Sequence, residues 1–166
     1  MTADQAQALL HVMTGTIERE AVSTRKVIMA ITDPGYKPDA KSRSAWEVAT
    51  HLAMADIWFA NSICNGAFAW TGEPAPPAEM TDPASAAYWH ETHLSGGLAK
   101  LRALSAEDLL RDVDFFGQKA PAVTWLVLMN NHAVHHRGQL AAYLRPMGSR
   151  VPAIYGMSAD EPMASA

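Results

Sequence analysis

Residues 131–140, NHAVHHRGQL, decide how this chain is read. They lie in a run from about Thr124 to Arg145 with helical spacing, closed by Pro146 and Gly148. A helix turns about 100° per residue, so His132 and His136 stand within about 40° of each other on adjacent turns, where one metal ion can bridge them. His135 lies about 80° from their midpoint and is the poorer ligand. Trp125, Leu128, Met129, Gln139 and Tyr143 share the face of the pair, which makes it a core-facing stripe. Two imidazoles are then buried among apolar groups, and each needs partners for both nitrogens. An isolated His pair is more often a surface pair or a hydrogen-bonded core pair than a metal site, so a third ligand from another helix decides the matter.

That third ligand is His51, in the segment WEVATHLAMADIW. Ser44 and Glu47 form a capping-box pattern ahead of a helical run from Ala45 to about Asn65. On that run His51 shares a face with Glu47, Ala55, Trp58 and Ser62, a stripe that also looks inward. Cys64 follows 13 residues after His51. It sits roughly 140° around the helix and roughly 20 Å along it, too far to join the same ion.

The rest of the chain supplies the scaffold. A first helix is expected from about Ala3 to Ile31, with Leu9, Leu10, Met13, Ile17, Ala21 and Ile28 at helical spacing and Asp33-Pro34-Gly35 as its stop. Residues 71–83, TGEPAPPAEMTDP, cannot continue a helix and form the longest connection, a crossover loop. Asp82 and Pro83 read as the cap and first residue of a third helix reaching Leu104, weakened in the middle by Gly96-Gly97. His90 lies on its inner stripe with Ala87, Leu94, Leu98 and Leu101, while His93 lies toward the edge and His11, near the chain start, reads as exposed. Ser105 and Asp108 cap a short helical piece, and DVDFFGQKAPAV is expected to be an irregular or extended link. No strand-length alternation competes with these helices, so the predicted class is all-α, a four-helix bundle in a single domain spanning 1–166.

Composition narrows the function classes. Of the 166 residues 49% are apolar and 18% charged, which suits a globular core and argues against disorder. A net charge of -4 leaves no basic footprint for nucleic acid or an anionic membrane. One cysteine makes no internal disulfide. No segment approaches the roughly 20 apolar residues needed to cross a bilayer. The opening MTADQAQALLHVMTGTIERE lacks the basic start and unbroken apolar run of a secretory leader, so a cytoplasmic location is expected.

Three places in the sequence carry a family resemblance: WEVATHLA with Trp46, Glu47 and His51; the string NHAVHHRGQLAAYLRPMG; and the tail VPAIYG. Together they resemble the DinB-like (DinB/YfiT) superfamily, whose members are regarded as metalloenzymes. The resemblance runs from the first helix to Tyr155. It implies an up-down-down-up four-helix bundle, with the long Pro-rich link as its crossover, and a divalent metal, commonly zinc or nickel, held by His51, His132 and His136. It also implies a homodimer. Arg137 is expected to pair locally or anchor a neighbouring segment, Gly138 to allow close helix contact, and Gln139 to orient a ligand or substrate.

Three neutral imidazoles leave an ion with its full charge and an open coordination position, the arrangement of a catalytic site. The resemblance favours transfer of a low-molecular-weight thiol such as bacillithiol, mycothiol or glutathione to a small electrophile. Its alternatives are a metal-dependent hydrolase, for which Glu47 and His90 are the candidate bases, and a non-catalytic, stress-linked metal or ligand binder. The electrophile is expected near Trp58, Tyr143 and His90, held by apolar contact, or the metal shielded by Trp58, Tyr143 or the VPAIYG tail.

Overall fold

The computed structural model describes residues 1–162 and is mostly helical. Four long helices dominate: α1 (Ala3–Met29), α2 (Ala45–Asn65), α3 (Pro83–Arg102) and, beyond the short α4 (Ala106–Leu110), α5 (Trp125–Leu144). Their starts follow from local chemistry. Thr2, Ser44, Asp82 and Ser105 each accept a hydrogen bond from the backbone three residues on, and the residue there returns one, so four helices open with reciprocal capping boxes. α5 has no such side-chain cap and is instead fed by a 3₁₀ turn over Ala122–Thr124. α2 ends at Gly66 with φ 72°, where the Arg111 side chain fills the space a Cβ would need.

The link expected to be irregular or extended is a β-hairpin. β1 (Asp112–Phe115) pairs antiparallel with β2 (Gln118–Pro121), Phe115 opposite Gln118, across the two-residue tip Phe116-Gly117. Both tip residues have positive φ, 50° and 87°, the backbone of a type I′ turn. The hairpin is tied down where Trp125 Nε1 donates to the Val113 carbonyl at 3.2 Å.

α1 packs on α3 and α5, and α2 packs on the same two helices. Gly97 sits against α2, where an added Cβ would stand 3.1 Å from the Ala60 methyl. This glycine therefore allows close packing, and the helix continues through it. The buried apolar residues form two clusters, one with Leu10, Ile17, Phe59, Leu98, Trp125 and Met129, the other with Ile28, Val48, Ala87, Leu140 and Leu144. Each long helix passes from one cluster to the other at a polar residue: Thr24 on α1, Asp56 on α2, His90 on α3, and the stretch holding His132, His136 and Arg137 on α5. A polar belt thus crosses the core between two apolar halves. None of the described helices is long and apolar enough to cross a membrane.

Candidate metal centre

On the belt, α2 contributes His51 and α5 contributes His132 and His136. Each offers one ring nitrogen, and the three atoms lie within 4.8 Å of one another. His51 Nε2 and His132 Nε2 are 3.2 Å apart. Two nitrogens on a tetrahedral ion at about 2.1 Å per bond stand about 3.4 Å apart, so small ring rotations bring the set to ligand geometry.

Hydrogen bonds outside the cluster fix where the lone pairs point. His51 Nδ1 lies 2.8 Å from Glu73 Oε1, and His136 Nδ1 lies 3.0 Å from Gln139 Oε1. A carboxylate accepts only, so His51 donates from Nδ1, and in the neutral ring the lone pair is at Nε2. Gln139 donates its amide to the Tyr143 hydroxyl at 3.1 Å, which leaves its oxygen to accept from His136. His136 is thereby held in the same tautomer. His132 Nδ1 is buried without a hydrogen-bond partner. The donor set fits a divalent transition ion: two oriented imidazoles meet a third whose Nε2 otherwise faces only another ring nitrogen.

The electrostatics agree. Burial, followed by the neighbouring His136 and His51, pushes His132 down to about 3. Burial also lowers His136, against the opposing bond to Gln139. Both rings are therefore neutral near pH 7, the form a metal ion needs. Burial pushes the Glu73 carboxyl up, but hydrogen bonds from Arg43 and His51 outweigh it and hold the group below its ordinary value. Arg43 grips Glu73 through both nitrogens, at 2.9 Å and 2.5 Å.

Beside the cluster opens a cavity of about 360 Å³ whose lining includes His51, His132, Met54, Trp58, Phe59, Trp70, Phe115 and Phe116. Of the three groups expected around a substrate only Trp58 lines it, its indole N–H fixed to the Ala69 carbonyl at 3.0 Å. Tyr143 is buried against Tyr36 and bonded to Gln139. His90 is fully buried, its Nε2 2.8 Å from Asp56 Oδ2, and works inside the core.

Two further expectations are corrected. Glu47 does not face the cluster: its carboxylate accepts from the Ser44 backbone and lies 3.6 Å from Lys37, as a capping residue should. Gly138 makes no close helix contact, since a Cβ there would meet nothing within 4 Å. Arg137, by contrast, is 1% exposed and reaches the Glu20 carboxylate at 2.6 Å, the Glu20 carbonyl and the Tyr155 hydroxyl, joining α5 to α1 and the tail. The tail is thus anchored on α1 through Tyr155, which donates to Glu20 at 2.7 Å. His135 is exposed and His93 stacks on Trp89. Glu73 was not among the sequence candidates. It sits in the Pro-rich connection, where no periodicity marks which side chain turns inward.

A mostly helical chain with three convergent imidazoles that could hold one metal ion defines the class of protein at hand. The model of the DinB family matches residues 5–164, and the chain belongs to that family. It is 29% identical over 151 residues to the uncharacterized protein YrdA of Bacillus subtilis (strain 168), covering 87% of this chain and 86% of that one. It is 31% identical over 116 residues to the uncharacterized protein YjoA of the same organism, covering 68% and 73%. The crystal structure of the DinB-like YjoA superposes with a TM-score of 0.69 at 26% identity over 86% of this chain and 96% of that one. A DinB-like protein from Bacillus cereus ATCC 10987 gives 0.71 at 25% identity over 86% and 95%.

Proposed function

We propose that this protein binds one divalent transition metal, zinc or nickel, through His51, His132 and His136 and transfers a low-molecular-weight thiol to a small electrophile. The observation that carries the reading is the convergence of three imidazoles, two of them oriented by hydrogen bonds, beside a largely apolar cavity. A bound divalent ion supplies the positive charge that lowers the pKa of a small thiol toward neutrality. The chain's own part is to hold, orient and exclude water. Glu73 and Gln139 fix the His51 and His136 rings, and Trp58 and Phe59 keep the cavity dry. In the transfer the thiol sulfur forms a bond to the electrophilic carbon, the leaving group departs with its electron pair, and the thiol proton passes to solvent.

Among the described residues no cysteine, serine or lysine lines the cavity. The sulfur nucleophile therefore comes with the substrate. Burial pushes the Cys64 thiol up, which weakens it as a nucleophile. A hydrolase would need a free base beside water, yet both oxygens of Glu73 are already engaged by Arg43 and His51. The same reading takes the four long helices as an up-down-down-up bundle. Its support is that Asp56 meets His90 and Ala60 meets Gly97, contacts that advance in the same sense along α2 and α3.

The test is metal analysis of tag-free protein, then conjugation of bacillithiol, mycothiol and glutathione to 1-chloro-2,4-dinitrobenzene. Metal-dependent conjugation that survives Cys64→Ser is the expected result. Thiol-independent ester hydrolysis with no conjugation would favour the hydrolase, and inactivity in both assays with tight metal retention would favour a binding protein.

A further inference from the structure

The tip of the hairpin breaks a local rule. In a two-residue type I′ turn both positions have positive φ, and asparagine or glycine normally fills the first. Here that position is Phe116, at φ 50°. A phenylalanine in the left-handed region is strained, and this one is also 65% exposed, so core packing does not explain its presence. Its ring stands edge-on to Phe115 at 4.8 Å, and both residues line the cavity beside the histidines. Trp70, 48% exposed and also lining the cavity, stands edge-on to Trp58 at 5.6 Å. Three separate segments, α2, the Pro-rich connection and the hairpin, thus bring Trp58, Trp70, Phe115 and Phe116 to one opening.

We propose that this aromatic mouth is the binding site for an uncharged, planar aromatic group of the substrate, with Phe116 as the residue that sets this preference. Ring faces and edges from both sides give offset and edge-on contacts to a flat apolar body. Charge selects against the alternatives. Among the described lining residues the one carboxylate, Glu73, is already paired with Arg43, so a ligand cation would find ring faces but no free counter-charge. An anion would have to shed water against Trp and Phe rings, whose faces are negative. A cavity of about 360 Å³ lies at the small end of the range for ligand sites, suited to a body of one or two fused rings. The inference rests on the transferase reading only for which end of the molecule points to the histidines.

The test is calorimetric titration of the full chain, metal-free and metal-loaded, with 2-naphthol and with naphthalene-2-sulfonate. The expected result is saturable binding of 2-naphthol to both forms, at least tenfold tighter than the sulfonate. Phe116→Gly should weaken it tenfold or more without lowering the melting temperature, because glycine accepts the turn's backbone without strain. Trp70→Ala, in a separate segment of the lining, should weaken it independently. Naphthol binding unchanged by both substitutions, or sulfonate binding equal to naphthol, would overturn the proposal. So would a dimer that Phe116→Gly converts to monomers, since the aromatic residues would then be a contact between copies. A protein that retains no metal yet binds 2-naphthol sinks the metal reading and leaves the aromatic site standing.

Discussion

The carboxylate of Glu73 holds His51 from a loop 22 residues along the chain, 2.8 Å from Nδ1, and is itself clamped by Arg43. Loss of such an outer partner typically costs 10–100-fold in metal affinity, because the imidazole loses its fixed tautomer and direction. Glu73→Ala is expected to weaken zinc binding by about that factor with little change in helix content. Glu73→Gln keeps an accepting oxygen and should cost less. Competition titration with a zinc chelator checks both, and an unaltered affinity in Glu73→Ala would count against a supporting role.

Alanine at His51, His132 or His136 should each strip the metal from the purified protein, whereas His135→Ala should leave its content near one equivalent. His135 is exposed and outside the triad. Elemental analysis of the four variants decides this. If His135→Ala loses metal as completely as His136→Ala, the ligand set is wrong.

The buried pair Asp56 and His90 predicts a different phenotype. Removing one partner of a buried polar pair strands the other, a loss of roughly 3–5 kcal/mol. His90→Ala should therefore lower the urea midpoint sharply while folded protein still binds metal. Conjugation activity lost with stability intact would instead return His90 to the list of catalytic groups.

Acid should destabilise the metal-free protein through the histidines of the triad. His132 is held near 3 in the folded chain against an ordinary 6.5, so between those values the unfolded state binds more protons. Stability is whole above about pH 6.5 and is lost progressively as pH falls toward 3, with His136 acting in the same direction. Urea unfolding at pH 7, 5 and 4 should show this slope, reduced in His132→Asn. An equal slope in that variant would mean that His132 does not carry the acid sensitivity.

Much of this arrangement is written in short-range patterns. Ser44 with Glu47, and Asp82 with Pro83, mark helix starts because capping is settled within four residues. The convergence of three histidines is legible because His132 and His136 share a helical face and His51 lies on the inward stripe of another helix. What escaped depends on contacts far apart in sequence or on exceptions to local preference. The hairpin has four-residue strands and a phenylalanine where turn chemistry asks for asparagine, so nothing announces it. Glu47 shares a face with His51 by angle, yet its position at the helix start commits it to the cap. His90 looks like a spare acid or base until Asp56, 34 residues earlier, is seen to occupy it.

The belt of polar residues between the two apolar clusters also settles how the helices line up along their axes. Apolar contacts are non-directional, so beyond shape fits such as Gly97 on Ala60 they mark a helix's axial setting, in steps of about 5.4 Å per turn, less sharply than a polar pair does. Asp56 and His90 are such a pair: a slip would part them and press each against hydrocarbon. The belt is therefore an alignment key, and the spacing of His51 from His132 inherits its accuracy. Replacing Asp56 and His90 together by leucine should give a chain that stays folded but samples several axial settings, and so blurs the three-point grip on the ion.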